Sequence, residues 1–269
     1  MSHLFIRSAL FVPGNRAERF AKALASGADA VIVDFEDAVA REDKAFAREQ
    51  LATFLIAHAD ARLWVRINAA GDVEHEADLE FCGRHAGVIG VVLPKAETVA
   101  QIRRVAAIGK PLWPIIESAQ GVLSIEQIAA CAGVQRLTLG ALDLALDLGL
   151  NPDSSGAQNL FDQARFALLL HSRIQGLAPP LDGIYPAFED DVGLTQVMQR
   201  ARDMGMGGAY CIHPRQVPVM HAALAPSAAE KAWAQRVIEA AGCGEAAFKV
   251  DGQMIDAPVI TRARRLLAH

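Results

Sequence analysis

Two carboxylates stand at the ends of apolar runs. Pro111-Leu112-Trp113-Pro114-Ile115-Ile116 closes on Glu117 and then Ser118, and the run from Arg136 to Leu142 closes on Asp143. Runs this short and this apolar fit buried strands better than helices. A buried strand offers no cheap place for a charge, so each carboxylate is expected just past its strand end. If the two strands are neighbours in one parallel sheet, Glu117 and Asp143 share a rim. A pair of rigidly held carboxylates there suits a hard dication such as magnesium. The plainer reading is that Glu117 caps the following helix and Asp143 opens a turn, and these two residues alone leave both readings open.

Other residues invite the same double reading. Arg66 sits in the run Leu63 to Asn68 and is either a substrate clamp or a structural ion pair. The run Ala30 to Phe35 ends in Asp34-Phe35-Glu36-Asp37. Lys95, after Pro94, reads as a rim residue whose stem covers apolar surface. His213, before Pro214, reads as a hydrogen-bonded core histidine rather than a ligand or base, and His171 and His221 as helix-surface residues. Arg16, Arg19 and Lys22 could simply solvate one helix face, since i, i+3 neighbours share a side. Asp256, two residues before Pro258, makes a good helix N-cap.

The elements that must position these residues alternate. Apolar runs near 8–12, 30–35, 63–68, 88–95, 111–117, 136–142, 182–188 and 208–213 read as strands. Between most of them lie segments of helical periodicity: 16–26, 42–58, 97–108, 121–131, 159–175 and 192–204, with a short helix near 214–223. About eight β/α units in near-continuous apolar strands predict an α/β protein of the TIM (β/α)8 barrel type. Nearly every run ends in polar or charged residues, at the carboxyl rim where barrel sites are built. A doubly wound open sheet is the runner-up, but no GxGxxG follows the first run. The stretch 148–158, rich in Asn, Pro, Asp, Ser and Gly, is expected as a surface loop. Residues 1–225 are assigned to the barrel. Residues 226–269 are assigned to a C-terminal extension: a helix from Ser227 with a Ser227/Glu230 capping box, an extended segment 248–255, and an arginine-rich last helix. A barrel does not require this extension, which makes it a candidate lid or subunit contact.

Composition bounds the partners. The chain has 269 residues, 52% of them hydrophobic, enough for one large core. A net charge of −5 with no basic run weighs against nucleic acid. Cys82, Cys131, Cys211 and Cys243 are scattered without metal or disulfide spacing, as expected of free thiols in a reducing compartment. Cys211 reads as small core packing. The first seven residues are too short and polar for a signal peptide, and no apolar run reaches membrane-spanning length. A cytoplasmic protein is the expectation.

Taken in order, Arg7-Ser8-Ala9-Leu10-Phe11-Val12-Pro13-Gly14, Val33-Asp34-Phe35-Glu36-Asp37-Ala38-Val39, Val65-Arg66-Ile67-Asn68, Leu93-Pro94-Lys95, Ile115-Ile116-Glu117, Gly140-Ala141-Leu142-Asp143-Leu144 and Ile212-His213-Pro214 resemble the citrate lyase beta-subunit-like proteins. These belong with the malyl-CoA and citramalyl-CoA lyases in the HpcH/HpaI aldolase superfamily. The resemblance implies a TIM barrel and a magnesium-dependent carbon–carbon lyase, with manganese as a possible substitute, acting on a coenzyme A thioester. It implies Glu117 and Asp143 as metal ligands, Arg66 on the carboxylate of a 2-keto acid, and Glu36 and Asp37 behind the metal's waters. It implies Arg16, Arg19 and Lys22 at the coenzyme A phosphates. Met254-Ile255-Asp256-Ala257-Pro258 resembles the lid of the malyl-CoA and citramalyl-CoA lyases, where the Asp is an acid or base reaching into a neighbouring subunit of a trimer. A homotrimer, or paired trimers, is therefore implied. Leu142 departs from the pattern, since many relatives carry Glu before the metal Asp. Four activities follow as expectations: a stand-alone acyl-CoA lyase, a citrate lyase subunit working on an acyl carrier protein, a thioesterase, or a non-catalytic assembly protein. The last is least favoured, because an abandoned site has no reason to keep buried charges unpaired.

Overall fold

The computed structural model describes residues 5–242 and 247–267. The chain separates into two compact units, Met1–Ala223 and Leu224–His269. In the first, eight parallel strands close into a barrel in sequence order, with β1 returning to pair with β8. They are β1 (Ser8–Pro13), β2 (Ala30–Asp34), β3 (Leu63–Arg66), β4 (Val88–Leu93), β5 (Leu112–Ile116), β6 (Thr138–Leu139), β7 (Leu181–Asp182) and β8 (Gly208–Cys211). The TIM barrel expected from the alternation is thus the fold.

The helices that cover the barrel are α1 (Phe20–Leu24), α2 (Lys44–Ala57), α3 (His75–Arg84), α4 (Val99–Ala106), α5 (Ala119–Leu123), α6 (Ile125–Ala129), α7 (Ala141–Asp147), α8 (Ser155–Ile174), α9 (Asp191–Met204) and α10 (Gln216–Leu224). Several start where side-chain oxygens meet orphan amides: Thr98 caps α4 with a reciprocal Gln101, and Ser118 and Ser154 cap α5 and α8. Three expectations need correction. The helix α3 lies in a stretch read without an element; Leu79, Phe81 and Cys82 bury its inner face. The single helix expected at 121–131 is two short ones meeting at Ser124. The loop expected at 148–158 already holds the first turn of α8. No helix among the described residues is long and apolar enough to cross a membrane.

Side chains fill the barrel. Trp64 and Trp113 stack at its centre, ring centroids 3.9 Å apart, among Ile32, Val92, Ile115 and Tyr210. Gly90 makes this possible, because a Cβ there would lie 2.2 Å from the Trp64 ring. Arg136, fully buried just before β6, places its guanidinium 5.6 Å from the Trp113 ring centroid. Burial pushes its pKa down to about 10. At the amino end of the barrel, Asp29 accepts from the Arg7 backbone and guanidinium at 2.8–3.1 Å. The Nε2 of His221 meets the Ser8 hydroxyl at 2.8 Å and the Asp29 carboxylate at 3.4 Å. His221 is therefore half-buried in a network, not a helix-surface residue. His171 is also partly buried, its Nδ1 enclosed without a hydrogen-bond partner. Cys82 and Cys211 are buried free thiols and Cys131 is partly exposed; Cys243 lies outside the described residues.

The second unit has its own small core. Helix α11 (Ala228–Ala241) starts at the Ser227/Glu230 capping box, and β9 (Phe248–Val250) pairs antiparallel with β10 (Gln253–Ile255). Asp251 and Gly252 both take positive φ, 47° and 82°, the conformation of a tight two-residue hairpin turn. Helix α12 (Ala257–Leu267) follows, and Ala234, Val237, Ile255 and Ala263 form the shared apolar centre.

Candidate active site at the carboxyl rim

The site grows from the ends of five consecutive strands, β2 to β6. At the end of β2, Asp34 is fully buried and pairs in register with Arg66 at the end of β3. The Nε and Nη2 of Arg66 donate to the two Asp34 oxygens at 2.7 and 2.6 Å. Burial pushes the Asp34 carboxyl up. The Arg66 charge, its hydrogen bonds and the N–H groups of Glu36 and Ala38 outweigh that and hold the carboxyl below the ordinary range. Arg66 is lifted in turn, since Asp34, Glu36 and Asp37 outweigh its own desolvation. Its guanidinium lies 4.8 Å from the Phe11 ring centroid, and Phe11 packs on Tyr210. Sequence reasoning placed Asp34 beside Glu36 and Asp37 but gave it no task. The signal was available in its position, at the same depth as Arg66 on the adjacent strand.

Glu36 is buried between two cations. Its Oε1 accepts from the Lys95 ammonium at 2.5 Å, and its Oε2 lies 3.0 Å from Arg66 Nη1. Burial raises its pKa despite both neighbours. Asp37 is exposed and 3.9 Å from each cation. Lys95 is thus no simple rim residue, because its ammonium is engaged by Glu36.

Glu117 lies just past β5, 5% exposed, where the Lys95 backbone N–H donates to its Oε1 at 2.7 Å. Burial pushes its pKa up to about 8; the Lys95 N–H opposes this and the Asp143 charge adds to it. Asp143 does not follow directly on its strand. β6 stops at Leu139 and Asp143 occupies the first turn of α7. The cause is Gly140, where a Cβ would meet Glu117 Oε2 at 2.3 Å; only glycine lets the chain turn into α7 against that carboxylate.

Arg66, Glu117 and Asp143 line one cleft of about 70 Å³, walled by Phe11, Leu142, Ile184 and Tyr210. The Tyr210 hydroxyl is tied instead to Thr138 at 2.9 Å. Five carboxyl groups (Asp34, Glu36, Asp37, Glu117, Asp143) gather around two cations, Arg66 and Lys95. This surplus of negative oxygen donors fits a small hard dication. No cluster of three or more His, Cys, Asp or Glu side chains converges for metal binding among the described residues. Magnesium commonly uses one or two carboxylates and fills its remaining positions with water.

A second recess, of about 370 Å³, shares Phe11 with the first and is lined by Pro13, Arg19, Lys22, His213 and Pro214. Arg19 and Lys22 thus meet at one recess, while Arg16 turns aside to pair with Glu18 at 2.8 Å. His213 is exposed rather than a core residue, because the chain leaves the barrel at Cys211; its ring stacks on Phe188 at 5.0 Å. In the separate C-terminal unit, Asp256 Oδ1 accepts from the Val259 N–H at 3.4 Å, a loose N-cap of α12.

Comparison with known proteins returns one family, HpcH/HpaI aldolase/citrate lyase, whose pattern matches residues 7–214. A (3S)-malyl-CoA thioesterase of Cereibacter sphaeroides is 37% identical, over 97% of this chain and 93% of its own. A citrate lyase subunit beta-like protein of Deinococcus radiodurans is 36% identical, over 98% and 97%. Among solved structures, CitE of Mycobacterium tuberculosis in complex with magnesium, acetoacetate and coenzyme A superposes with a TM-score of 0.90 at 35% identity, covering 99% of this chain and 98% of that one.

Proposed function

Because the chain belongs to the HpcH/HpaI aldolase/citrate lyase family, a family of enzymes, we propose that it is a carbon–carbon lyase that splits a 3-hydroxyacyl-CoA of the malyl-CoA or citramalyl-CoA type into a 2-keto acid and acetyl-CoA. The observation that carries the reading is the pairing of Glu117 and Asp143 with Arg66 across one small cleft. Magnesium held by Glu117 and Asp143, or manganese on the same oxygen donors, would supply a Lewis acid to the substrate hydroxyl and its adjacent carboxylate. Arg66, fixed on its far edge by Asp34, presents its guanidinium to that carboxylate. Glu36 and Asp37 stand beside Arg66, and either carboxylate would take the hydroxyl proton, directly or through a water. Transfer of that proton lets the Cα–Cβ bond break toward the keto acid, and the bonding pair stays on the acyl α-carbon as an enolate. The Asp256 carboxyl is assigned the proton that quenches it. The second recess, with Arg19 and Lys22, suits the phosphates of a coenzyme A arm, with Arg16 as an outlying contributor. The reading includes a homotrimer, or paired trimers, in the cytoplasm.

The thioesterase name of a 37% identical relative favours a second reading, in which water cleaves the thioester. One assay separates the possibilities. The purified protein is given (S)- and (R)-citramalyl-CoA, malyl-CoA and 3-methylmalyl-CoA, with and without magnesium, and keto acid, acyl-CoA and free thiol are followed together. Equal release of keto acid and acyl-CoA (acetyl-CoA, or propionyl-CoA from 3-methylmalyl-CoA), dependent on magnesium, is the expected result. Free thiol without keto acid would move the assignment to the thioesterase. No turnover of any of the four, with magnesium bound, would leave the carrier-protein-dependent citrate lyase subunit.

A further inference from the structure

Lys95 is one of two non-glycine residues with positive φ among the described residues, at 49°. That backbone conformation is unfavourable for a residue with a side chain, and it persists only where the surroundings enforce it. Here it sends the two ends of one residue to two different carboxylates. The amide N–H meets Glu117 Oε1 at 2.7 Å, and the ammonium meets Glu36 Oε1 at 2.5 Å. Glu36 matters because its other oxygen lies 3.0 Å from Arg66 Nη1 yet makes no hydrogen bond. Asp34 already occupies Nε and Nη2 of Arg66. Nη1 is therefore where Glu36 and an incoming carboxylate compete.

We propose that Lys95 is a positioning residue: its ammonium holds Glu36 in an orientation whose 3.0 Å approach to Arg66 Nη1 forms no hydrogen bond, so that this N–H can be taken by the carboxylate of a small 2-keto acid, while the Lys95 N–H fixes Glu117. The inference rests on the lyase reading for the identity of that ligand. Without the ammonium, Glu36 would turn to accept a hydrogen bond from the guanidinium and act as an internal competitor. Lys95 itself needs no contact with the ligand for this.

The test is calorimetric binding of pyruvate to the full chain at saturating magnesium, with magnesium binding measured separately. Wild type is compared with K95M, K95R, E36Q and K95M/E36Q. K95M should weaken pyruvate about tenfold, a coupling normal for neighbouring charges, and leave magnesium affinity within about threefold. K95R should restore binding. K95M/E36Q should recover most of the lost affinity, because the competitor is gone; a merely structural lysine would not be rescued by changing Glu36. Unchanged pyruvate binding in K95M, or no recovery in the double variant, would overturn the inference. Should K95M fail to fold, E36Q decides alone: affinity for pyruvate should hold or rise, and a fall would refute the competition. A wild-type protein that binds neither magnesium nor pyruvate would instead remove the lyase reading, and this inference with it.

Discussion

At the scale of single residues, the most consequential positions carry little or no side chain of their own. Gly140 has an ordinary φ of −109°, so alanine there brings no backbone strain. What it brings is a methyl 2.3 Å from Glu117 Oε2 and 2.6 Å from its Cβ. Gly140→Ala is therefore expected to displace the carboxylate and weaken magnesium binding by about 10–100-fold, as loss of outer-shell support does at metal sites. Titration calorimetry would show this, with thermal unfolding of the magnesium-free variant close to wild type. Retained magnesium affinity would remove Glu117 from the ligand set. The residues that sequence reasoning singled out, Glu117, Asp143 and Arg66, do meet in one cleft. Two of their supports were illegible for a physical reason. The task of Lys95 depends on a backbone φ that its residue type does not announce, and that of Gly140 on a contact 23 residues away in sequence.

At the scale of elements, strands were easier to read than helices. The barrel strands are short apolar runs that end in charge, and both signals survive in a single sequence. β6 and β7 shrink to two residues each, because the pairing register ends where Gly140 and Gly183 turn the chain aside. α3 escaped because its acidic first turn and polar outer face mute the apolar stripe of Leu79, Phe81 and Cys82. The barrel interior makes a separate prediction. Gly90 on β4 faces the Trp64 ring, which stacks on Trp113 of β5. Gly90→Ala should destabilise the fold by about 1–3 kcal/mol through overpacking, read as a lower urea midpoint at unchanged slope. An unchanged midpoint would mean that the tryptophan pair can shift at no cost.

At the scale of the whole molecule, the two ends of the barrel divide the work. The carboxyl rim holds the cleft, while the amino end is tied by Arg7, Ser8, Asp29 and His221. Burial pushes the Asp29 carboxyl up, but the Arg7 side-chain and backbone hydrogen bonds outweigh it and hold the pKa below its ordinary value. A carboxyl depressed in the folded state contributes stability that is complete above its unfolded value of about 3.9 and lost as pH falls through the folded one. Asp29→Asn should lower the melting temperature at pH 7 by about 3–6 °C. The gap between variant and wild type should close as pH drops from about 4 toward 2. A gap independent of pH would assign the loss to packing instead of charge.

The in-register pairing of Asp34 with Arg66 across β2 and β3 has a meaning for assembly of the chain. Apolar strands buried on both faces carry few marks that distinguish one alignment from the next. A slip of β3 along β2 would strand a carboxylate and a guanidinium apart in a dry interior, at a cost of several kcal/mol. The same two charges that serve the cleft thus proofread the folding of the barrel: a misaligned sheet forfeits them at once, and a chain that reaches the pair has already been checked.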